Sequence, residues 1–200
     1  MTIGTVILAA GSSSRLGQPK QLLVHEGKTL VRRITDMALA LDKGPVTVVL
    51  GANRHDIADE LEGLPVTLID NPRHAEGLSS SLKMGLAGLY MTQKKLDGVL
   101  VLLTDQPHVS LGLLLNLVET FADGEKGIVA SKYGEEGPLG VPALFATKYI
   151  EELLALTGDK GARWIIVKHR DDCTEIPFEE GLIDLDSPLD LERFYGRKPE

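Results

Sequence analysis

Short unbroken apolar runs alternate along the chain with longer segments whose apolar residues recur at helical spacing. The runs cover residues 6–10, 46–50, 66–69 and 99–103, rich in Val, Ile and Leu and bounded by Gly, Pro or Asp. Strands buried on both faces of a parallel sheet read this way. Between the runs, Leu30, Ile34, Met37, Ala38 and Leu41 share one helical face. So do Leu82, Leu86, Leu89 and Tyr90, and then Leu113, Leu114, Leu117, Val118 and Phe121. This alternation predicts an α/β fold: a doubly wound, mostly parallel sheet with helices on both faces and right-handed crossovers. The last third is less regular. Residues 128–130 and 143–145 read as short strands, 160–168 as a helix, and Ser187-Pro188 as the start of a last helix. No repeat, low-complexity tract or linker divides the chain, so residues 1–200 are expected to form a single domain.

Composition narrows function more than fold. The chain carries 21 Lys+Arg against 29 Asp+Glu, a net charge of −8. That argues against the basic face of a nucleic-acid binder but leaves room for a local cluster of cations on phosphates. The one cysteine, Cys173, excludes an internal disulfide and a Cys-based zinc or iron–sulfur site. The first residues, Met1-Thr2-Ile3-Gly4-Thr5, lack the basic start of a signal peptide. No apolar run approaches the ~20 residues of a membrane span. The expectation is a cytoplasmic protein with neither a membrane nor a nucleic-acid partner.

In doubly wound sheets, ligands bind outside the carboxyl ends of the strands. Two polar clusters follow the best strands. The first runs Leu8-Ala9-Ala10-Gly11-Ser12-Ser13-Ser14-Arg15-Leu16-Gly17-Gln18-Pro19-Lys20. Small residues let backbone N–H groups approach an anion, Arg15 offers a planar fork to phosphate oxygens, and Lys20 offers a point charge. The spacing is neither a P-loop nor the Gly-x-Gly-x-x-Gly fingerprint, since five residues separate Gly11 from Gly17 and Ser13 holds the second glycine position. An ordinary strand-to-helix turn with solvated cations would read the same way.

The second cluster is Thr104-Asp105-Gln106-Pro107-His108. A carboxylate at a strand end suits Mg²⁺, which takes one or two carboxylates plus substrate phosphates. A turn Asp before a helix starting near Ser110 is the plainer alternative. Further along, Asp184 and Asp186 precede Ser187-Pro188, where Asp186 or Ser187 would serve as a helix cap. Residues 71–86 open a helix with Ser79, Ser80 and Ser81, at least one of them expected to be an N-cap. His25, His55, His74 and His169 have no metal-ligand spacing and read as surface or loop residues.

Taken together, Leu-Ala-Ala-Gly-x-Ser-Ser-Arg-x-Gly-x-Pro-Lys resembles the signature of the molybdenum-cofactor nucleotidyltransferases, and its Ala-Ala form is closer to their cytidylyltransferase branch. Five further blocks are similar to that family in the same order: residues 71–86, Leu-x-x-Asp-Gln-Pro at 102–107, 137–145, 158–163 and 183–191. The resemblance implies a Rossmann-like nucleotidyltransferase fold and a Mg²⁺-dependent transfer of CMP from CTP to a phosphate acceptor, with molybdopterin favoured. It implies that Ala9, Ala10, Gly11, Ser12, Ser13 and Ser14 wrap the triphosphate. Arg15 would hold the β- and γ-phosphates and Lys20 the charge developing at the α-phosphorus. Asp105 would hold Mg²⁺, with Asp186 as second ligand and Asp184 as alternate. Gly77 and Ser81 would face the base and ribose, and Gln106 and His108 the acceptor side. A molybdoenzyme or its maturation proteins would be the protein partners. Gln18-Pro19-Lys20 also occurs in relatives acting on sugar or isoprenoid phosphates, so the acceptor stays open.

Overall fold

The structure, a computed structural model, describes residues 1–13, 16–183, 185 and 188–196. Among them, the strands are β1 (Ile3–Leu8), β2 (Val24–His25), β3 (Lys28–Thr29), β4 (Val46–Leu50), β5 (Thr67–Asp70), β6 (Gly98–Leu103), β7 (Ile128–Tyr133), β8 (Leu139–Ala146) and β9 (Cys173–Phe178). The helices are α1 (Leu30–Ala40), α2 (Arg54–Glu60), α3 (Leu78–Thr92), α4 (Leu111–Asp123), α5 (Ile150–Ala155), α6 (Arg163–Lys168) and α7 (Pro188–Tyr195). One sheet of seven described strands has the order β5-β4-β1-β6-β8-β7-β9, and β2 and β3 form a separate antiparallel pair. The neighbours β5, β4, β1 and β6 run parallel, as do β7 and β9, while β8 lies antiparallel between β6 and β7.

The expected two-faced burial is present. Side chains alternate along a strand, so Val6 and Leu8 of β1 enter one core and Ile3 and Ile7 enter the other. The first core is closed by Leu82, Leu86 and Leu89 of α3, with Ile150 and Leu153 of α5 and Ile165 and Ile166 of α6. The second is closed by Val31, Ile34 and Ala38 of α1, Ile57 of α2, and Leu114, Leu117 and Val118 of α4. Two of these helices start on side-chain caps. Thr29 Oγ1 accepts from the N–H of Arg32 at 3.3 Å, and Ser110 Oγ accepts from that of Leu113 at 3.2 Å. Ser110 rather than Asp105 therefore caps α4.

Several expectations shift. Residues 66–69 do not form a strand buried on both faces. The strand is β5, Thr67–Asp70, at the sheet's edge, with Leu68 38% exposed. An edge strand has a neighbour on one side only, so an apolar run need not be fully covered. The two C-terminal strands are longer than the apolar runs at 128–130 and 143–145. Pro142 normally argues against an interior strand because it lacks a ladder donor. Here the register shifts between Ala130 and Ser131, which pair with Ala143 and Gly140 respectively. Val141 and Pro142 are the extra residues of that bulge, and Ser131 Oγ donates to the Pro142 carbonyl at 2.7 Å. The helix expected over 160–168 begins at Arg163.

A third, smaller cluster lies outside the two main cores. Leu16 of the glycine-rich loop packs with Leu23, Leu30 and Leu185, and Leu191 and Phe194 pack against it. Among the described residues no helix is long and apolar enough to cross a membrane.

Candidate active site

The glycine-rich segment leaves β1 at its carboxyl end. Ala9 and Ala10 are buried, Gly11 and Ser12 are exposed, and Ser13 is half-buried in a left-handed conformation, φ 51°. Ser14 and Arg15 lie outside the described residues. The loop is held by a residue that the motif reading passed over. Gln21 is buried, and its Nε2 donates to the carbonyls of Ala9 at 3.0 Å and Gly11 at 2.8 Å. Ser13 Oγ in turn accepts from the backbone N–H of Lys20 at 3.0 Å.

Lys20 and Asp105 are 85 positions apart in sequence yet meet. Lys20 Nζ stands 2.6 Å from Asp105 Oδ2, with both side chains largely buried. The pair joins the loop after β1 to the end of β6, its neighbour in the sheet. The other carboxylate oxygen, Oδ1, is buried with no hydrogen-bond partner. Gln106 follows, with Nε2 donating to Tyr133 Oη at 3.0 Å and to the Val141 carbonyl at 2.9 Å, while its Oε1 is buried without a partner. Tyr133 also donates to the Val141 carbonyl. These groups border a cleft of about 370 Å³ whose far side is built by Leu78, Asp159, Arg163 and Trp164.

The start of α3 reaches that cleft from the opposite side. Gly77 adopts φ 109°, and a Cβ there would collide with the backbone of Gly158 and sit 2.7 Å from Asp159 Oδ1. Glycine is thus required both by the backbone and by the close approach of residues 158–159. Gly77 is itself the N-cap and no serine side chain caps the helix, contrary to the N-cap expectation. The serines are engaged otherwise. Asn71, also passed over in sequence, is buried and donates to Ser80 Oγ at 2.9 Å and Ser81 Oγ at 3.0 Å. Ser80 donates to the carbonyls of Arg73 and Gly77. Ser81 is buried within this network.

Asp184 and Asp186 lie outside the described residues. Among the described residues, no group of three or more His, Cys, Asp or Glu could hold a metal on protein ligands alone. The orphaned oxygen of Asp105 is the observation that fits a cation. One carboxylate with an open oxygen suits Mg²⁺, which draws its other ligands from water and substrate phosphates. The histidines are less idle than their spacing implies. The rings of His25 and His108 lie 4.7 Å and 5.5 Å from that of Phe194. Burial, followed by the nearby Arg33 charge, lowers the His25 pKa.

Solved structures share this architecture. Rv0371c from Mycobacterium tuberculosis H37Rv matches over 98% of both chains, with a TM-score of 0.82 and 27% identity. A manganese complex of the same protein matches at 25% identity and a TM-score of 0.79, over 96% of this chain and 97% of that one. The fold is therefore the Rossmann-like nucleotidyltransferase class. Residues 5–173 match the MobA-like NTP transferase domain, and the chain belongs to that family. The bifunctional protein GlmU of Francisella tularensis subsp. novicida is 29% identical over 151 residues, 74% of this chain. The chain spans 31% of that relative's length. Nicotine blue oxidoreductase of Paenarthrobacter nicotinovorans is 32% identical over 120 residues, 60% of this chain and 57% of that one.

Proposed function

We propose that the chain is a Mg²⁺-dependent nucleotidyltransferase that moves CMP from CTP to a phosphate acceptor, with molybdopterin the favoured acceptor. One observation carries this reading: the Lys20–Asp105 pair joins the glycine-rich loop to the end of β6 while leaving one Asp105 oxygen without a partner. An oxygen of the acceptor phosphate attacks the α-phosphorus in line. The bond from the α-phosphorus to the bridging oxygen breaks, and pyrophosphate leaves with that electron pair. The acceptor phosphate is already ionised, so no general base is required. Positioning and charge neutralisation supply most of the acceleration in such transfers. In this reading, Gly11 and Ser12 to Ser14 supply backbone donors to the triphosphate and Arg15 holds the β- and γ-phosphates. Lys20 stabilises charge developing around the α-phosphorus. Asp105, with Asp186 as second ligand, would hold Mg²⁺, which when bound supplies charge neutralisation on the phosphates. Gly77 and the serine-rich start of α3 border the nucleoside. A molybdoenzyme or its maturation machinery is the protein partner implied.

The test is pyrophosphate release with Mg²⁺ and each of CTP, GTP, ATP and UTP, with and without molybdopterin cofactor. Release with CTP only when the cofactor is present supports the reading in full. Release only with sugar, polyol or isoprenoid phosphates keeps the reaction and replaces the acceptor. CTP binding without release under any acceptor overturns the reaction in favour of a cofactor-delivery role. The name of one relative, nicotine blue oxidoreductase, adds a control: oxidation or reduction of nicotine blue by the same protein would argue for redox chemistry instead.

A further inference from the structure

We infer that Gln21 is a positioning residue, which turns two carbonyl oxygens of the glycine-rich loop inward and thereby aims the loop's amide hydrogens at the bound triphosphate. The inference rests on the proposed reading that this loop holds a nucleoside triphosphate.

Glutamine mostly stays at protein surfaces, yet Gln21 is only 1% exposed. A buried amide must have its hydrogen bonds made. Gln21 makes them all with the loop. Both Nε2 hydrogens go to carbonyls, at Ala9 and Gly11, and Oε1 accepts from Ser13 Oγ at 3.4 Å. The peptide bonds here are trans, and in a trans peptide unit the C=O and the N–H point in opposite directions. The oxygen of Gly11 faces Gln21, so the N–H of Ser12, in the same unit, faces away from it. The same holds for the oxygen of Ala9 and the N–H of Ala10. Gly11 and Ser12 are exposed, whereas Ala10 is buried.

A carbonyl oxygen turned toward phosphate repels it, whereas an amide hydrogen attracts it. One flipped peptide would therefore reverse the local field that a triphosphate meets. Gln21 holds both units against such a flip. It also sits next to Lys20, whose backbone N–H is fixed on Ser13 Oγ. Successive residues thus divide the work. Lys20 extends its charge to Asp105, and Gln21 reaches back to set the loop.

Two variants test this. Gln21→Met keeps the approximate volume and loses the donors. Gln21→Glu sets a carboxylate against two carbonyl oxygens. Three readings are taken: hydrogen exchange of the loop amides with and without tripolyphosphate, calorimetric binding of Mg·CTP and of inorganic tripolyphosphate, and steady-state KM and kcat. In Gln21→Met, the slowing of exchange that tripolyphosphate gives residues 10–13 is lost, while the amides of β1 and α1 keep their protection. Affinity for both ligands falls in parallel by about 10- to 100-fold, with KM rising more than kcat falls. Gln21→Glu is worse than Gln21→Met; if it fails to fold, the Met variant decides alone. Uniformly faster exchange across the chain, or tripolyphosphate affinity within about twofold of wild type, overturns the inference. A wild-type protein that binds tripolyphosphate through this loop but transfers no nucleotidyl group overturns the proposed reaction and leaves the role of Gln21 standing. A loop whose exchange is indifferent to tripolyphosphate overturns both.

Discussion

Two Lys–Asp pairs of equal length stand at opposite ends of the sheet. Lys20–Asp105 lies beyond the carboxyl end of β6, and Lys148–Asp172 lies where β7 and β9 begin and β8 ends; each measures 2.6 Å. Their surroundings differ. Asp172 also accepts from the Tyr149 hydroxyl, on the same oxygen, Oδ2, that faces Lys148. The bonds from Lys148 and Tyr149 lead in lowering its pKa to about 2, and burial, followed by the hydrogen bond to Asp172 and the charge of that carboxylate, raises that of Tyr149. Asp105 has Lys20 on one oxygen and nothing on the other, which is buried. A carboxylate oxygen shared by two donors of its own chain fastens chain to chain. One with a buried oxygen left open keeps an acceptor that its own chain does not use.

The contrast is broken most directly at Lys20. Lys20→Ala is expected to lose on the order of 10²–10³ in kcat with an unchanged circular dichroism spectrum. Near-normal turnover would remove Lys20 from the mechanism. Next, Asp105→Asn is expected to lower kcat by roughly 10²-fold and to raise the Mg²⁺ concentration at half-maximal rate. In parallel, a chelator should stop turnover of the wild type without unfolding it, and Mg²⁺ or Mn²⁺ should restore the rate. Turnover that survives exhaustive chelation excludes the metal role of Asp105.

At the other pole the effects move from rate to stability. Asp172→Asn is expected to leave kcat unchanged and to lower unfolding free energy by about 1–2 kcal/mol, read from urea titration. A drop in kcat with no change in urea midpoint would erase the distinction between the two poles. The smallest effect is in acid. A carboxyl whose folded pKa is depressed stabilises the fold above its unfolded pKa, here an ordinary 3.8, and loses that contribution as pH falls through the folded value of about 2. Between those values the wild type should therefore lose stability more steeply than Asp172→Asn. Parallel curves would mean that Asp172 keeps an ordinary pKa.

Most of the parallel half of the fold was legible because β1, β4 and β6 are buried on both faces, as the edge strand β5 is not. Continuous apolar runs at 46–50 and 99–103 coincide with β4 and, nearly, with β6. The antiparallel half was less so, because Pro142 hides a strand that a bulge accommodates. The pair β2–β3 is short and polar, and left no periodic signal. In the site, the spacing marked Lys20 and Asp105, which the fold brings into contact. It gave no role to Gln21 or Asn71. Each is a polar residue whose importance lies in being buried against backbone or hydroxyl groups that only the folded chain brings near. The apolar neighbours of Gln21, Leu22 and Leu23, give a hint of that burial, but residue type alone argues the other way.

The cluster uniting Leu16 with Leu23, Leu30, Leu185, Leu191 and Phe194 has a consequence for biosynthesis. Translation delivers the glycine-rich loop early and residues 185–195 late. The apolar seat of Leu16 is incomplete until that late segment has left the ribosome. The sheet can assemble around β1, β4 and β6 well before then, as domains commonly do during synthesis. A nascent chain would thus form much of its sheet first and the packing around Leu16 afterwards.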